Sequence, residues 1–202
     1  MNSASANHFR KSLLKKKSLE PMFVLTSNCH KINEYQEFGI EARLGPDIDE
    51  VLGTIDEVIT YKILSSEPYI LVEDTVLEIG GQEIVDVKFK LKNITEHDNA
   101  LWITSLGYHD NSYLYVYRGI IEGRIVSPVI EHETSFEPYF MPIDAGITLY
   151  ELKQRGQKDK FSARRLALEA FRNDQPAFLR KISDVPKWKG KYQNRKDGTE
   201  AR

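Results

Sequence analysis

Two adjacent acids inside an apolar run constrain this chain most: Glu73 and Asp74 in Tyr69-Ile70-Leu71-Val72-Glu73-Asp74-Thr75-Val76-Leu77. The run is rich in β-branched and large apolar residues and predicts a buried strand over 69–77, closed by Gly80-Gly81. Neighbouring residues of a strand point to opposite faces, so a single-sided sheet cannot hold both carboxylates in solvent. Either the strand runs out here with two solvated acids, or the pair faces a hard cation and the phosphates it carries.

The flanking sequence organises around that strand. Phe23-Val24-Leu25 predicts a short strand, Thr26-Ser27-Asn28 a small polar turn, and the residues through Phe38 a helix. A strand, turn and helix in this order present backbone N–H groups to an anion, and Lys31 adds a cation one turn in. Such turns also occur as plain helix caps, so the motif alone is weak. Ile40–Leu44 alternates as a second strand, and Asp56–Ser66 has a helical period with Asp56 as its expected N-cap and Pro68 as its stop. Ile84–Ile94 fits a helix or a strand equally. Ala100–Leu106 and Tyr113–Ile121 read as strands around a turn at 107–111, with Glu122-Gly123 as a hairpin into Arg124–Ile130 and a final helix over Phe161–Phe171. Alternating helices and strands predict an α/β or mixed α+β fold on a long mixed sheet.

With 202 residues the chain suits one domain, read as residues 21–182 between a disordered basic arm at 1–20 and a polar, Lys/Arg-rich tail at 183–202, expected to be mobile from Lys187 on. A transit peptide is the alternative for the arm. The formal net charge of −2 and cationic ends without a folded basic platform make nucleic acid an unlikely partner. No apolar stretch reaches the ~20 residues of a membrane span, and the single Cys29 fits a reducing, cytoplasmic compartment. Cys29 itself is expected to pack, and His97, His109 and His132 are expected at the surface without metal-ligand spacing.

Taken in order, Phe23–Glu34, Asp49-Glu50, Asp56-Glu57, Lys62, Tyr69–Leu77 and Gly80-Gly81 resemble the inosine triphosphate pyrophosphatase family. Tyr117-Arg118-Gly119-Ile120-Ile121-Glu122-Gly123-Arg124-Ile125-Val126 is similar to that family's F-R-G-x-x-x-G-R-I-V segment. Phe136-Glu137-Pro138-Tyr139-Phe140 resembles its aromatic-Asp-Pro-x-Phe segment, and Ser162-Ala163-Arg164 its Ser-His-Arg. The resemblance implies an elongated sheet with two lobes and a nucleotide cleft between them. It also implies a homodimer that uses Mg²⁺, or Mn²⁺, to hydrolyse a non-standard purine nucleoside triphosphate to monophosphate and pyrophosphate.

By position the resemblance assigns Glu50, Glu73 and Asp74 to metal, and Asp74 with Lys62 to catalysis. Thr26, Ser27, Asn28, Lys31, Thr75, Phe136, Glu137, Ser162 and Arg164 are assigned to substrate. The departures gather where the base is read. Thr134 stands for the stacking aromatic, Ser135 for a glycine, Glu137 for the aspartate and Ala163 for the histidine, while Gln82-Glu83-Ile84 replaces a glycine-proline loop. Phosphate chemistry is therefore expected to persist with altered base reading; a nucleotide-binding protein with little catalysis is the alternative.

Overall fold

The computed structural model of the chain describes residues 22–90, 95–128, 130 and 135–193. The basic arm, Thr134, His132 and the end of the 84–94 stretch lie outside the described residues. The elements are β1 (Val24–Thr26), α1 (Cys29–Glu37), β2 (Ala42–Leu44), α2 (Ile55–Leu64), β3 (Leu71–Ile79), β4 (Gln82–Ile84) and α3 (Val87–Lys90). They continue with β5 (His97–His109), β6 (Tyr113–Ile125), β7 (Phe140–Pro142), α4 (Leu149–Gln154), α5 (Ala163–Arg172) and β8 (Phe178–Lys181). All strands join one mixed sheet of order β2-β1-β3-β5-β6-β7, with β4 on β3 and β8 on β6, so the expected mixed α+β architecture is what the chain adopts.

β3 is the strand that divides the molecule. One edge pairs with β5 from Val72 to Ile79. The other pairs with β1 only at Leu71 and Val72, and with β4 only from Leu77 to Ile79. Between those neighbours Glu73, Asp74 and Thr75 border a gap in the sheet, and the cleft opens there. The period-2 alternation sends Leu71, Glu73 and Thr75 to one face and Val72, Asp74 and Val76 to the other. The first face packs under α1 and α5 through Tyr35, Ala167 and Leu168. The second packs under α2 through Ile55, Ile59 and Ile63.

Several boundaries differ from the sequence expectation, each for a local reason. β3 starts at Leu71 rather than Tyr69, because Tyr69 takes φ +63°, outside the strand region. α2 is capped by Thr54, not Asp56: Thr54 accepts from the Glu57 N–H while the Glu57 carboxylate accepts from the Thr54 N–H. This reciprocal box is worth about 1 kcal/mol and frees Asp56 to meet Arg118 at 2.6 Å. No hairpin forms at Glu122-Gly123; β6 runs straight through to Ile125. Gly123 serves close packing instead, since a Cβ there would lie 2.5 Å from the Phe140 ring. β5 and β6 are accordingly longer than read, with their turn at 110–112. Ile84 ends β4, and the short helix α3 follows from Val87.

The stretch from Lys187, read as mobile, is seated through Gln193. The Tyr61 hydroxyl donates to the Pro186 carbonyl at 2.8 Å, Trp188 lies 5.1 Å from Tyr61 ring to ring, and Tyr192 bridges Val51. Tyr61, on the solvent side of α2, offered the packing surface that the polar composition of the tail concealed.

Candidate active site

The cleft beside β3 has a volume of about 850 Å³, within the range of small-molecule sites. Thr26, Ser27, Asn28, Lys31, Glu50, Lys62, Glu73, Asp74, Thr75, Phe136, Glu137 and Arg164 all line it. Ser162 does not; its buried hydroxyl caps α5 by accepting from the Arg165 N–H.

At the first turn the residues organise the start of α1. The Thr26 hydroxyl accepts from the Asn28 N–H at 3.2 Å, and the Asn28 side chain accepts from the His30 N–H at 2.9 Å. The Ser27 hydroxyl donates to Asp47. Cys29, expected to pack, is exposed and free. The first position of a helix points away from the sheet here, which the sequence alone does not reveal.

Glu73 and Asp74 are both buried yet live in opposite environments. Glu73 faces α1 and α5. Its Oε1 accepts from Lys31 at 2.7 Å and Thr75 at 3.1 Å, and its Oε2 from Arg164 at 2.9 Å and Tyr35 at 3.3 Å. Burial opposes its charge, but Lys31 and Arg164 outweigh burial and hold the carboxyl well below the usual range. The same burial, with Glu73 beside it, raises the Tyr35 phenol, and Glu73 and Glu34 keep Arg164 firmly charged against desolvation.

Asp74 faces α2. Its Oδ1 lies 3.3 Å from the Lys62 ammonium, which also meets Glu50 at 2.5 Å. Its Oδ2 is buried without a hydrogen-bond partner. Burial pushes the Asp74 carboxyl up to about 6, with Lys62 pulling it down and Glu50 pushing it up. Lys62, although buried, is raised above the ordinary lysine range by Asp74 and then Glu50. Two acids thus share one lysine, and one acid is poised near neutrality.

Among the described residues no group of three or more His, Cys, Asp or Glu side chains is arranged to hold a metal ion by itself. Mg²⁺ typically takes one or two carboxylates and completes its shell with water and substrate phosphate oxygens. The unpartnered Asp74 Oδ2, with Glu50 across Lys62, fits that pattern. Glu73, with both oxygens engaged, fits it less well.

At the far end of the cleft, Glu137 is held by Lys158, with Lys153 at 3.7 Å. Lys158 also pairs with Glu34, and Arg164 joins Glu34 at 2.6 Å. The result is a continuous chain of charges, Glu137–Lys158–Glu34–Arg164–Glu73–Lys31. Arg164 and then Lys158 lower the Glu34 carboxyl against its burial. Phe136 turns edge-on to Trp102 and Phe140, as part of the core wall. Ala163 is fully buried among the same apolar residues.

Sequence reasoning passed over Glu34 and Lys158. Glu34 had a usable signal, since it follows Lys31 by one helical turn and therefore shares its face. Lys158 sits in a 3₁₀ turn of charged residues and had none. The histidines split: His97 packs against Gly80, and His109, expected at the surface, is buried with its Nε2 on the Ser66 carbonyl at 3.0 Å. The segment from Ser66 to Tyr69 covers it, since the Tyr69 N–H also donates to the His109 carbonyl at 2.9 Å.

The sequence model of the Ham1 family matches residues 81–174. The structure resembles that of the Ham1 protein of Staphylococcus aureus with a TM-score of 0.56 and 18% identity, covering 76% of this chain and 97% of that one. No curated protein matches the chain by sequence. No helix among the described residues is long and apolar enough to cross a membrane.

Proposed function

We propose that this chain, whose residues 81–174 match the model of the Ham1 family, known for nucleoside triphosphate pyrophosphatases, hydrolyses a nucleoside triphosphate to monophosphate and pyrophosphate. The observation that carries the proposal is the Glu50–Lys62–Asp74 group at the gap in the sheet, with an unpartnered buried oxygen on Asp74, a residue that lines the cleft.

In this reading the substrate's phosphates lie along the Thr26–Asn28 turn and Lys31, with the N-terminus of α1 behind them. Glu50 and Asp74 would hold Mg²⁺ or Mn²⁺ together with phosphate oxygens, and the ion would neutralise charge on the phosphates. Asp74 takes the proton of the attacking water as the α–β phosphoanhydride bond breaks and pyrophosphate leaves with the electron pair. Lys62 stays charged throughout and orients both acids. Glu73 anchors Lys31 and Arg164 rather than binding the ion.

The base falls at the Phe136–Glu137 end. A non-standard purine is the substrate class we propose, on the family resemblance. The proposal extends to a homodimer in the cytoplasm, supported by that resemblance and by the exposed free thiol of Cys29.

Pyrophosphate release from a panel of standard and deaminated nucleoside triphosphates with Mg²⁺ tests the reaction, with faster turnover of one or more deaminated purines expected. Absence of turnover across the panel would overturn it. The clasp of Lys158 and Lys153 on Glu137 favours a second reading, a nucleotide-binding protein with little catalysis. Thermal stabilisation by a nucleotide that is not hydrolysed would select that one.

A further inference from the structure

The loop between β2 and α2 carries Glu50 but lies outside the sheet. Its backbone pairs instead with the end of the described chain. The Leu52 N–H donates to the Lys191 carbonyl at 2.8 Å, and the Gln193 N–H donates to the Glu50 carbonyl at 2.8 Å. Val51 and Tyr192 form an antiparallel bridge, and the Gln193 side-chain amide donates to the Val51 carbonyl at 3.0 Å. Gln193 also lines the cleft.

Trp188 locks this segment down. Its ring leans on Tyr61 of α2, the helix that supplies Lys62, and its Nε1 donates to the Lys191 carbonyl at 3.1 Å. The ring fills the space between two glycines: a Cβ on Gly190 would lie 2.4 Å from it, and one on Gly53 would lie 2.9 Å from it. Farther back, Val185 packs on the core beneath α2. One stretch of chain therefore grips both the loop that bears Glu50 and the helix that bears Lys62.

We infer that residues 186–193 act as a strap that fixes Glu50 against Lys62, with Trp188 and Gln193 as its positioning residues. The inference rests on the proposed function for the meaning of Glu50. A pendant terminus that merely adds stability would need no pairing with the two residues Glu50 and Val51. It would also need no amide from Gln193 at the cleft wall. A side chain that orients a metal ligand typically controls affinity by ~10–100-fold, so the strap should be visible in metal binding.

The test uses the full chain and Mn²⁺ as the probe, with binding measured by paramagnetic titration and the Leu52 amide followed by hydrogen exchange. In Trp188→Ala the Leu52 amide should lose protection while β5 and β6 keep theirs, and Mn²⁺ affinity should fall about tenfold. Trp188→Phe, which keeps the ring between the glycines, should restore most of that affinity. Gln193→Ala should weaken Mn²⁺ binding by a smaller factor, at an unchanged thermal midpoint. Release of Leu52 with unaltered Mn²⁺ affinity would overturn the inference, as would full protection of Leu52 in Trp188→Ala. Wild-type protein that binds Mn²⁺ yet hydrolyses no nucleotide sinks the proposed function alone. Wild-type protein that binds no Mn²⁺ removes the role of Glu50 and the strap's purpose with it.

Discussion

The two ends of the cleft place their charges by different means. At the phosphate end, Lys31, Lys62, Glu73, Asp74 and Arg164 stand on α1, α2, β3 and α5, so backbone geometry fixes where each side chain begins. Glu50, on a loop, is the exception and is pinned by backbone pairing with Gln193. At the base end, Glu137 lies on a loop and Lys158 in a 3₁₀ turn, and long side chains do the reaching. Regular elements suit a reaction whose charge pattern is the same for every nucleotide. A loop end can change its side chains without disturbing the sheet, and the departures Ser135 and Glu137 lie on it, whereas Ala163 opens α5 and is buried in the core.

The comparison is sharpest at Asp74. Asp74→Asn should lower pyrophosphate release by about a hundred- to ten-thousand-fold, the typical worth of a positioned base, with no loss of thermal stability. The fold should tolerate it because an ionised, half-paired buried carboxylate is replaced by a neutral group of the same shape. A rate near wild type would move the base elsewhere. Glu73→Gln should do the reverse. It leaves buried Arg164 with Glu34 as its remaining counter-ion and takes from half-buried Lys31 the partner it meets at 2.7 Å, at a cost of up to roughly 3–5 kcal/mol and a lowered unfolding temperature. An unchanged midpoint, with a raised Mg²⁺ requirement, would return Glu73 to the metal set.

The two acids should also separate by pH. Asp74 must be ionised both to hold the ion and to accept a proton. At limiting Mg²⁺ the rate should therefore climb about tenfold per unit below its value near 6 and level off above it, and saturating Mg²⁺ should move the bend to lower pH. The charges of Lys62, Glu50, Lys31 and Glu73 all act on Asp74, the last two from the other face of β3, and each contributes to where that bend falls. Glu73 acts on stability instead. Its folded value is depressed, so its contribution is in place above the unfolded carboxylate value of about 4.3 and is lost as pH falls toward the folded one. A rate profile flat between pH 5 and 7 at limiting Mg²⁺ would break the assignment of Asp74.

The same division governs what was legible in the sequence. The β3 run, the first turn and the α2 period announced themselves through alternation and spacing, and the residues they carry meet in one cleft. Long-range closure was not legible. That Arg164 and Lys31 share Glu73 depends on α1 and α5 lying on one face, which no local pattern encodes. Gly123 looked like a turn because glycine permits one, whereas it is there to let Phe140 approach. The strap looked mobile because its two aromatics, Trp188 and Tyr192, are interspersed with Lys187, Lys189 and Lys191.

At the base end the effects should be smaller and should appear in KM. Lys158→Met removes the cation that Glu34 and Glu137 share, so the two carboxylates lose their common partner and the far wall loosens. KM should rise about tenfold, with kcat within a few-fold of wild type, because the phosphate end keeps its own ion pairs. An equal fall in kcat would mean that the chain of charges through Glu34 and Arg164 transmits the change to Glu73.

The smallest effect concerns Ser162, which the family pattern assigns to substrate and the fold uses as the N-cap of α5. Its hydroxyl accepts from the Arg165 N–H at 3.3 Å and is buried away from the cleft, yet Arg164 two residues on reaches into it. Ser162→Ala should cost about 1 kcal/mol of stability, the usual worth of a cap, and leave KM for the nucleotide unchanged. Both quantities can be read from one preparation, by thermal unfolding and by initial rates. A KM that rises while the unfolding midpoint holds would place the hydroxyl on the substrate. A midpoint that falls alone would mean that this residue belongs to the scaffold end of the comparison, contributing by aiming the helix that carries Arg164.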